Sequence, residues 1–342
     1  MGEERELLSI EAYLRKLARR SHNTARGHKS SITTFNNWLT SPAQLEEPLK
    51  TLGLFVDFLE SQGKSARTIN TYLNQIKKYL RLCHGIKLDA EDFKDFVGLP
   101  QVLEQELEPL EKHELRLILE NTVKPRRKAL YWFISSTGCR ISEALQVRKK
   151  NIDFTQKPAL VTLPVEITKG KKRTRFVYLT SENTPLIRSI CNGIEDDDYV
   201  FTNSANVVNA TTYEHDAFNR LIENIGLNEK YEHNGRYKKN FHSIRAFTSS
   251  QIYDYTRDME YAHAYIGHDT YLKQYLRKTP EKRTEMFKEV ELALTIFSER
   301  MPENEKTIKD YENTITTLTK QNTNLRKLIH EEIAEVLSDS IS

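Results

Sequence analysis

The chain has 342 residues, 38% of them hydrophobic and 29% charged, with a formal net charge of +3. This composition predicts a globular, soluble protein of about two domains. Since no apolar run approaches the ~20 residues that span a bilayer, we expect no membrane partner and a cytoplasmic location. The three cysteines, Cys83, Cys139 and Cys191, are far apart, which excludes a disulfide framework and a cysteine zinc site and predicts reduced, buried thiols.

Residues 1–100 are predicted to form a small helical domain. Apolar residues recur there at three- and four-residue spacings, the period of an amphipathic helix. They form two sets, which are Leu52, Phe55, Val56, Phe58 and Leu59, and then Ile69, Tyr72, Leu73, Ile76, Tyr79 and Leu80. Residues 61–65 supply the break between these two helices, and an earlier helix is expected around residues 32–39.

A linker is predicted at residues 101–109, because the chain near it is rich in glutamate and contains two prolines. Beyond it, residues 110–302 are predicted to form a mainly helical domain with a small β-hairpin. The hairpin strands are expected at 159–163 and 175–179, with a basic turn at 169–171 between them. The helices are expected at 112–121, 126–135, 140–147, 212–224, 242–255, 258–266, 270–277 and 281–300.

Residues 303–342 carry a heptad pattern. Ile308, Ile315, Asn322, Ile329 and Val336 repeat every seven residues, and Tyr311, Leu318 and Leu325 occupy the second apolar position of the repeat. β-Branched residues at the first position, with one asparagine among them, favour a two-stranded coiled coil. We therefore predict a C-terminal helix through which the protein dimerises; the alternatives are a helix that folds back on its own domain and a frayed tail.

Positive charge is concentrated in two segments, which the small net charge conceals. Residues 164–180 carry Lys169, Lys171, Lys172, Arg173 and Arg175, and residues 229–245 carry Lys230, Arg236, Lys238, Lys239 and Arg245. Residues 104–114, by contrast, hold five glutamates. Clustered positive charge of this kind predicts salt-sensitive binding to a phosphate backbone.

The second domain also contains residues that can bind one phosphodiester. They form three groups, which are Thr137, Gly138, Arg140, Glu143 and Leu145, then His242 and Arg245, then Gly267 and His268. Arg140 and Arg245 suit a phosphate because the planar guanidinium binds two oxygens and stays charged. His242 is three residues before Arg245 in a predicted helix, so the two share a face. His268 can donate or carry a proton, and Glu143 would hold Arg140 in place.

A tyrosine beside these residues would be the nucleophile. Attack of a phenol on phosphorus forms a phosphotyrosine that conserves the energy of the broken bond, so rejoining requires no ATP, and neither a cofactor nor a metal is predicted. Tyr271 and Tyr275 both follow His268. The departing 5′ oxygen needs a proton, for which Lys169 or Lys171 is a candidate acid.

These motifs together resemble the catalytic signature of the tyrosine recombinases, the phage-integrase and Xer-like family. The resemblance covers roughly residues 110–300, and it includes the order of the motifs and the 26 residues between His242 and His268. Family members commonly place the nucleophile two residues beyond Tyr275, where this chain has Arg277. Tyr275 is nevertheless favoured because the residues after it break the helix, and Tyr271 is the alternative.

The resemblance implies a site-specific DNA recombinase, an integrase of an archaeal or bacterial mobile element. It implies a helical core-binding domain and a catalytic domain that close as a clamp around duplex DNA, with a tetramer on two attachment sites. Carried over residue by residue, it assigns binding of the scissile phosphate to Arg140 and Arg245, with His242 and His268 assisting and Glu143 supporting the arginines from behind. It assigns the general acid to Lys169 (alternatively Lys171) and the nucleophile to Tyr275.

DNA-binding side chains are expected in the two basic segments that flank this site. They are Lys171, Lys172, Arg173, Arg175, Lys238 and Lys239. Two other functions stay open at this point: a type IB topoisomerase-like enzyme that nicks and reseals one duplex, and a noncatalytic DNA-binding clamp. Any of the three would be associated with chromosomal, plasmid or viral DNA.

Overall fold

The computed structural model describes residues 7–102, 108–168, 173–232, 234–268 and 278–297. The chain divides into two units, Met1–Glu106 and Leu107–Ser342, and the boundary falls within the predicted linker. The predicted helix at 270–277, the basic turn at 169–171 and the heptad segment 303–342 lie outside the described residues. None of the described helices is long and apolar enough to cross a membrane.

The described part of the first unit is helical, as predicted. Its α-helices are α1 (Ile10–Ala18), α2 (His22–Trp38), α3 (Pro48–Ser61), α4 (Ala66–Cys83) and α5 (Ala90–Val97). The apolar positions of α3 and α4 face the core, where Leu52, Phe55 and Leu73 are fully buried. The sequence did not predict α1 and α5, which have only nine and eight residues and therefore too few turns for a clear periodicity.

Aromatic rings form the centre of this first core. The Phe55 ring contacts the Phe35 ring edge-on at a centroid distance of 5.0 Å and lies 5.1 Å from the Trp38 ring. Phe58 adds a stacked ring 6.0 Å from Phe55. Aromatic pairs at these distances contribute stability beyond their buried area, so Phe55 strengthens the contact between α2 and α3.

We expect Phe55→Ala to destabilise the first unit by about 3–5 kcal/mol, because it removes a fully buried ring and leaves a cavity. The matched control is Leu54→Ala, one position earlier on α3 and 50% exposed, which should change stability by less than about 0.5 kcal/mol. Denaturant unfolding followed by Trp38 fluorescence in a Trp132→Phe background measures the first unit alone. Equal effects of the two substitutions would contradict this account of the core.

The described part of the second unit is mainly helical with one small sheet. Its helices are α6 (Lys112–Glu120), α7 (Pro125–Thr137), α8 (Ile141–Ala144), α9 (Thr184–Cys191), α10 (Val207–Asn224), α11 (Phe241–Thr256), α12 (Met259–Ile266) and α13 (Pro280–Leu294). Its strands are β1 (Ile152–Asp153), β2 (Leu160–Leu163) and β3 (Arg175–Tyr178). Of the cysteines expected to be buried, Cys139 and Cys191 are buried, whereas Cys83 of the first unit is half-buried.

Helix α7 is the central element of the second unit. Tyr131, Phe133 and Ile134 are fully buried, so the helix is enclosed by its neighbours and has no wide polar face. Its last turn is polar but equally buried, and there the Thr137 hydroxyl donates to the Phe133 carbonyl at 2.6 Å. Such internal hydrogen bonds allow a polar helix end to be buried close to the functional residues that follow.

The sheet has the strand order β1, β2, β3, and both pairings are antiparallel. The predicted pair is confirmed as β2 and β3, with Leu163 opposite Arg175. The third strand, β1, was not predicted because two residues cannot show an alternating pattern. Arg175 and Val177 are both buried, which places one face of β3 against the protein interior.

The end of α13 is attached to the second unit. Phe287, Val290 and Leu294 are buried in the core of this unit, so α13 packs on the unit to which it belongs. Beyond the helix, the carboxylate of Glu182 accepts hydrogen bonds from the amides of Ile296 at 2.7 Å and of Phe297 at 2.8 Å. Arg116 donates to the Ile296 carbonyl, and the Phe297 ring packs edge-on against Trp132 at 5.2 Å.

Candidate active site

Gly138 ends α7 in a left-handed conformation, with φ of 59°. A Cβ atom at this position would lie 2.5 Å from the Cγ2 atom of Ile266, at the end of α12, which is too close for any other residue. Glycine is therefore required both by the backbone conformation and by the contact. The turn brings the first residues of α8 next to the end of α12.

Arg140 and Glu143 form the first ion pair of the site. Arg140 is the residue before α8, and its amide donates to Glu143 Oε2 at 3.1 Å while its Nη1 donates to Glu143 Oε1 at 3.0 Å. Glu143 also accepts a hydrogen bond from Nη2 of Arg175, on β3, at 3.1 Å. The carboxylate is only 1% exposed. Two guanidinium partners and a backbone amide offset the cost of its burial.

Arg245, on α11, lies beside this pair and is 5% exposed. Its Nη1 donates to the Gly138 carbonyl, whereas its Nη2 is buried and has no hydrogen-bond partner in the described part of the chain. Burial, together with the positive charges of Arg140 and Arg175, lowers the pKa of Arg245 to about 9. A buried cation with an unsatisfied N–H group and cationic neighbours is a site for an anion.

The third part of the site is the turn after α12. Gly267 is left-handed with φ of 78°, and it places His268 at the surface. The His268 amide donates to the His263 carbonyl at 2.9 Å, and the two imidazole rings are 5.5 Å apart. Partial burial and the charges of Arg245 and Arg140 lower the pKa of His268 to about 4. The imidazole is therefore neutral near pH 7 and can donate one hydrogen bond without carrying charge.

The structure brings together four of the residues predicted for the site, which are Arg140, Glu143, Arg245 and His268. His242 is the second residue of α11, three before Arg245, and is exposed, with its amide bound to the Asn240 side chain at 2.8 Å. Five further predicted residues lie outside the described residues, and they are Lys169, Lys171, Lys172, Tyr271 and Tyr275.

Three of the predicted DNA-binding residues are bound to other groups of the protein. Arg175 is 9% exposed and is bound to the Ile266 carbonyl and to the Glu143 carboxylate. Lys239 is held by Glu114 at 3.1 Å and by the Pro109 carbonyl at 3.0 Å. Lys238 is paired with Glu229 at 2.9 Å. The basic run around residue 239 is thus largely neutralised by carboxylates of the same unit.

The model of the phage integrase family matches residues 107–282, which is more than half of the chain and contains every described residue of the site. The chain belongs to the phage integrase family. Among curated proteins it is similar to the tyrosine recombinase XerA of Saccharolobus solfataricus, with 24% identity over 173 residues, 51% of this chain and 53% of that protein. The chain thus spans about half the length of this curated relative.

Solved structures have the same fold as this member of the phage integrase family. The Tn1549 transposon integrase in complex with transposon right end DNA is 15% identical to this chain. The match has a TM-score of 0.57 and covers 82% of this chain and 98% of the transposon integrase chain. A lambda integrase dimer bound to a core site is 12% identical to this chain. The match has a TM-score of 0.55 and covers 76% of this chain and 94% of the lambda integrase chain. At these identities the likeness establishes the fold.

The structure places two further residues beside the predicted site residues, Arg175 and His263, whose contacts there the sequence did not predict. Arg175 was grouped with the basic turn, although its alternation with Val177 and Leu179 is the pattern of an inward-facing strand position. His263 gave no signal, because it belongs to no motif and approaches His268 only through the turn at Gly267.

We expect His268 to make the protein less stable as the pH falls. Its folded pKa of about 4 lies below the ordinary value of 6.5, so between these pH values the unfolded chain binds a proton that the folded chain does not. Stability is full above about pH 6.5 and decreases towards pH 4. In His268→Gln, denaturant unfolding at pH 7.5 and pH 5 should differ less than in the wild type. The same difference in both proteins would contradict the assignment.

Proposed function

We propose that the protein is a site-specific DNA recombinase of the integrase type, which cleaves and rejoins strands through a covalent 3′-phosphotyrosine. The observation that carries this proposal is the buried guanidinium of Arg245, whose Nη2 lacks a partner among the described residues, beside Arg140 and His268. A phosphodiester would supply both the missing acceptor and the missing negative charge. Membership of the phage integrase family supports the same reading.

The described residues are suited to the transition state. As an oxygen attacks phosphorus, negative charge accumulates on the non-bridging oxygens, and Arg140 and Arg245 provide fixed positive charge for it. One preorganised donor of this kind contributes about 3–4 kcal/mol, or 10²–10³ in rate. His268, neutral near pH 7, acts as a hydrogen-bond donor to the same phosphate.

The remaining chemistry is assigned to residues that the sequence indicates. The Tyr275 oxygen attacks phosphorus, the bond between phosphorus and the 5′ oxygen breaks, and Lys169 protonates the departing oxygen; Tyr271 and Lys171 are the alternatives. His242 assists. Attack by the 5′ hydroxyl of a partner strand reverses the step and releases the tyrosine, so exchange proceeds through a Holliday junction without ATP or metal.

The wider assembly is also part of the proposal. Residues 1–100 act as the core-binding domain, residues 110–302 as the catalytic domain, and residues 303–342 as a coiled-coil dimerisation tail, with a tetramer on two attachment sites. The solved transposon integrase in complex with transposon right end DNA and the lambda integrase dimer on a core site support duplex DNA as the partner. A mobile genetic element in a prokaryotic cytoplasm is the setting that fits this activity.

We expect Tyr275→Phe to abolish covalent attachment to DNA, because phenylalanine lacks the attacking oxygen. The substrate is a nicked duplex that carries the protein's attachment site, and the adduct is detected on denaturing gels. Tyr255→Phe, at an exposed position of α11, is the matched control and should form the adduct at the wild-type rate.

Each alternative gives a different result in this assay. Loss of the adduct in Tyr271→Phe alone would move the nucleophile to Tyr271. Relaxation of a supercoiled plasmid without recombinant products would support the topoisomerase-like reading. A wild-type protein that binds the duplex but forms no adduct would identify a noncatalytic clamp.

We expect the triple substitution of Lys171, Lys172 and Arg173 by glutamine to weaken binding to any duplex. For every phosphate that the variant no longer neutralises, the slope of log K against log salt concentration should become shallower by about 0.9, because fewer counterions are released. Fluorescence anisotropy at several salt concentrations measures the slope.

The charge-matched control replaces Lys149, Lys150 and Lys282 by glutamine. These lysines are paired with the carboxylates of Asp196, Asp197 and Glu285, so their removal should leave the slope unchanged. Equal slopes for the two triple variants would remove residues 171–173 from the DNA interface.

A further inference from the structure

Arg175 is the third arginine of the site, and it connects three separate segments of the second unit. Its Nη1 donates to the Ile266 carbonyl at 3.0 Å, at the end of α12. Its Nη2 donates to Glu143 Oε2 at 3.1 Å and to the Cys139 sulfur at 3.4 Å, at the start of α8. Both terminal nitrogens of this β3 residue therefore bind groups of the protein.

The turn that carries His268 rests directly on the Arg175 guanidinium. A Cβ atom on Gly267 would lie 2.2 Å from Arg175 Nη1, so only glycine leaves room for the guanidinium there. Arg173, two residues earlier, donates to the His268 carbonyl at 3.4 Å. Two arginines two residues apart thus bind the carbonyls of Ile266 and His268, which are also two residues apart.

Arg175 also completes the environment of Glu143. One carboxylate oxygen accepts from Arg140 Nη1, and the other accepts from Arg175 and from the Arg140 amide. Without Arg175, this 1% exposed carboxylate would lose one of the two guanidinium partners that it has in the described part of the chain, and the side chain that orients Arg140 would be less firmly held.

We propose that Arg175 is a positioning residue for strand cleavage, which holds Arg140 through Glu143 and His268 through the Ile266 carbonyl and the turn at Gly267, and which does not contact DNA. This assignment rests on the proposed recombinase function. A planar fork suits the role, because one guanidinium binds a carboxylate in one direction and a carbonyl in another, which the single ammonium of lysine cannot do.

The experiment separates the rate of cleavage from the affinity for DNA. The full chain, in excess over a nicked duplex with its attachment site, gives the rate of adduct formation at saturation, and anisotropy gives the dissociation constant. Arg175→Met should slow adduct formation about 10–100-fold, the usual effect of losing an orienting partner, while the dissociation constant changes less than about twofold. Arg175→Lys should fall between Arg175→Met and the wild type, since it keeps the charge.

The chain offers a matched control in Arg127, a second arginine with a largely buried partner. It binds both carboxylate oxygens of Glu214, at 2.7 and 3.0 Å, and its side chain is 17% exposed. Arg127→Met removes a comparable ion pair away from the described site. It should lower the melting temperature much as Arg175→Met does, yet leave the rate of adduct formation at saturation unchanged.

A double variant adds a readout that general destabilisation would not change. If Arg175 acts through Glu143, then Arg175→Met combined with Glu143→Gln should slow adduct formation by less than the product of the two single effects. If Arg175→Met does not fold, Arg175→Lys with the same double-variant comparison decides the question.

Three results would overturn the proposal. A larger dissociation constant for Arg175→Met, with an unchanged rate of adduct formation at saturation, would make Arg175 a DNA contact. An equal loss of rate in Arg127→Met would make the effect a general consequence of instability. Independent effects of Arg175 and Glu143 would break the link between them. Failure of the wild type to form any adduct would overturn the recombinase function itself, and this assignment with it.

Discussion

Glu143 provides the single carboxylate that lies between Arg140 and Arg175 in the described site, and the positions of these two guanidinium groups depend on it. The Glu143 carboxylate accepts hydrogen bonds from both the side chain and the backbone amide of Arg140. It also gives Arg175 a partner within the protein interior. Removing one member of such a buried set leaves an uncompensated charge, which costs several kcal/mol. The hydrogen bonds around Glu143 are therefore coupled and cannot be treated one at a time.

The charges of the described side chains in this region do not balance. Arg140, Arg175 and Arg245 share one carboxylate, and Arg245, the most enclosed of them, carries the consequence as a pKa lowered to about 9 by burial and by its cationic neighbours. A protein optimised for stability alone would pair or neutralise that guanidinium. In the recombinase that we propose, this unsatisfied group in the described chain is a preorganised anion site, and a bound phosphate would offset its cost.

Local patterns predicted much of this protein, and contacts between distant segments did not follow from them. The amphipathic helices α3 and α4 and the hairpin of β2 and β3 were predicted because each repeats a pattern over several turns or alternations. The pair of Arg140 and Glu143 was predictable because Glu143 is three positions after Arg140 in the helix predicted at 140–147. The contact of Arg175 with Glu143 joins residues 32 apart, and a run of basic residues suggested an exposed surface where the structure has an interior contact.

Gly138 and Gly267 were recognised as motif glycines, but the reasons they must be glycine are Ile266 and Arg175, which only the fold brings near them.

Ile296 and Phe297, which follow α13, are attached to the second unit. Glu182 and Arg116 bind the backbone there and Phe297 packs on Trp132, so this segment is held beside α7. Trp132 stands on α7, the helix that ends at Gly138, so the Phe297 contact and the turn before Arg140 depend on one helix. Loosening that contact would therefore disturb the helix on which the position of Arg140 depends.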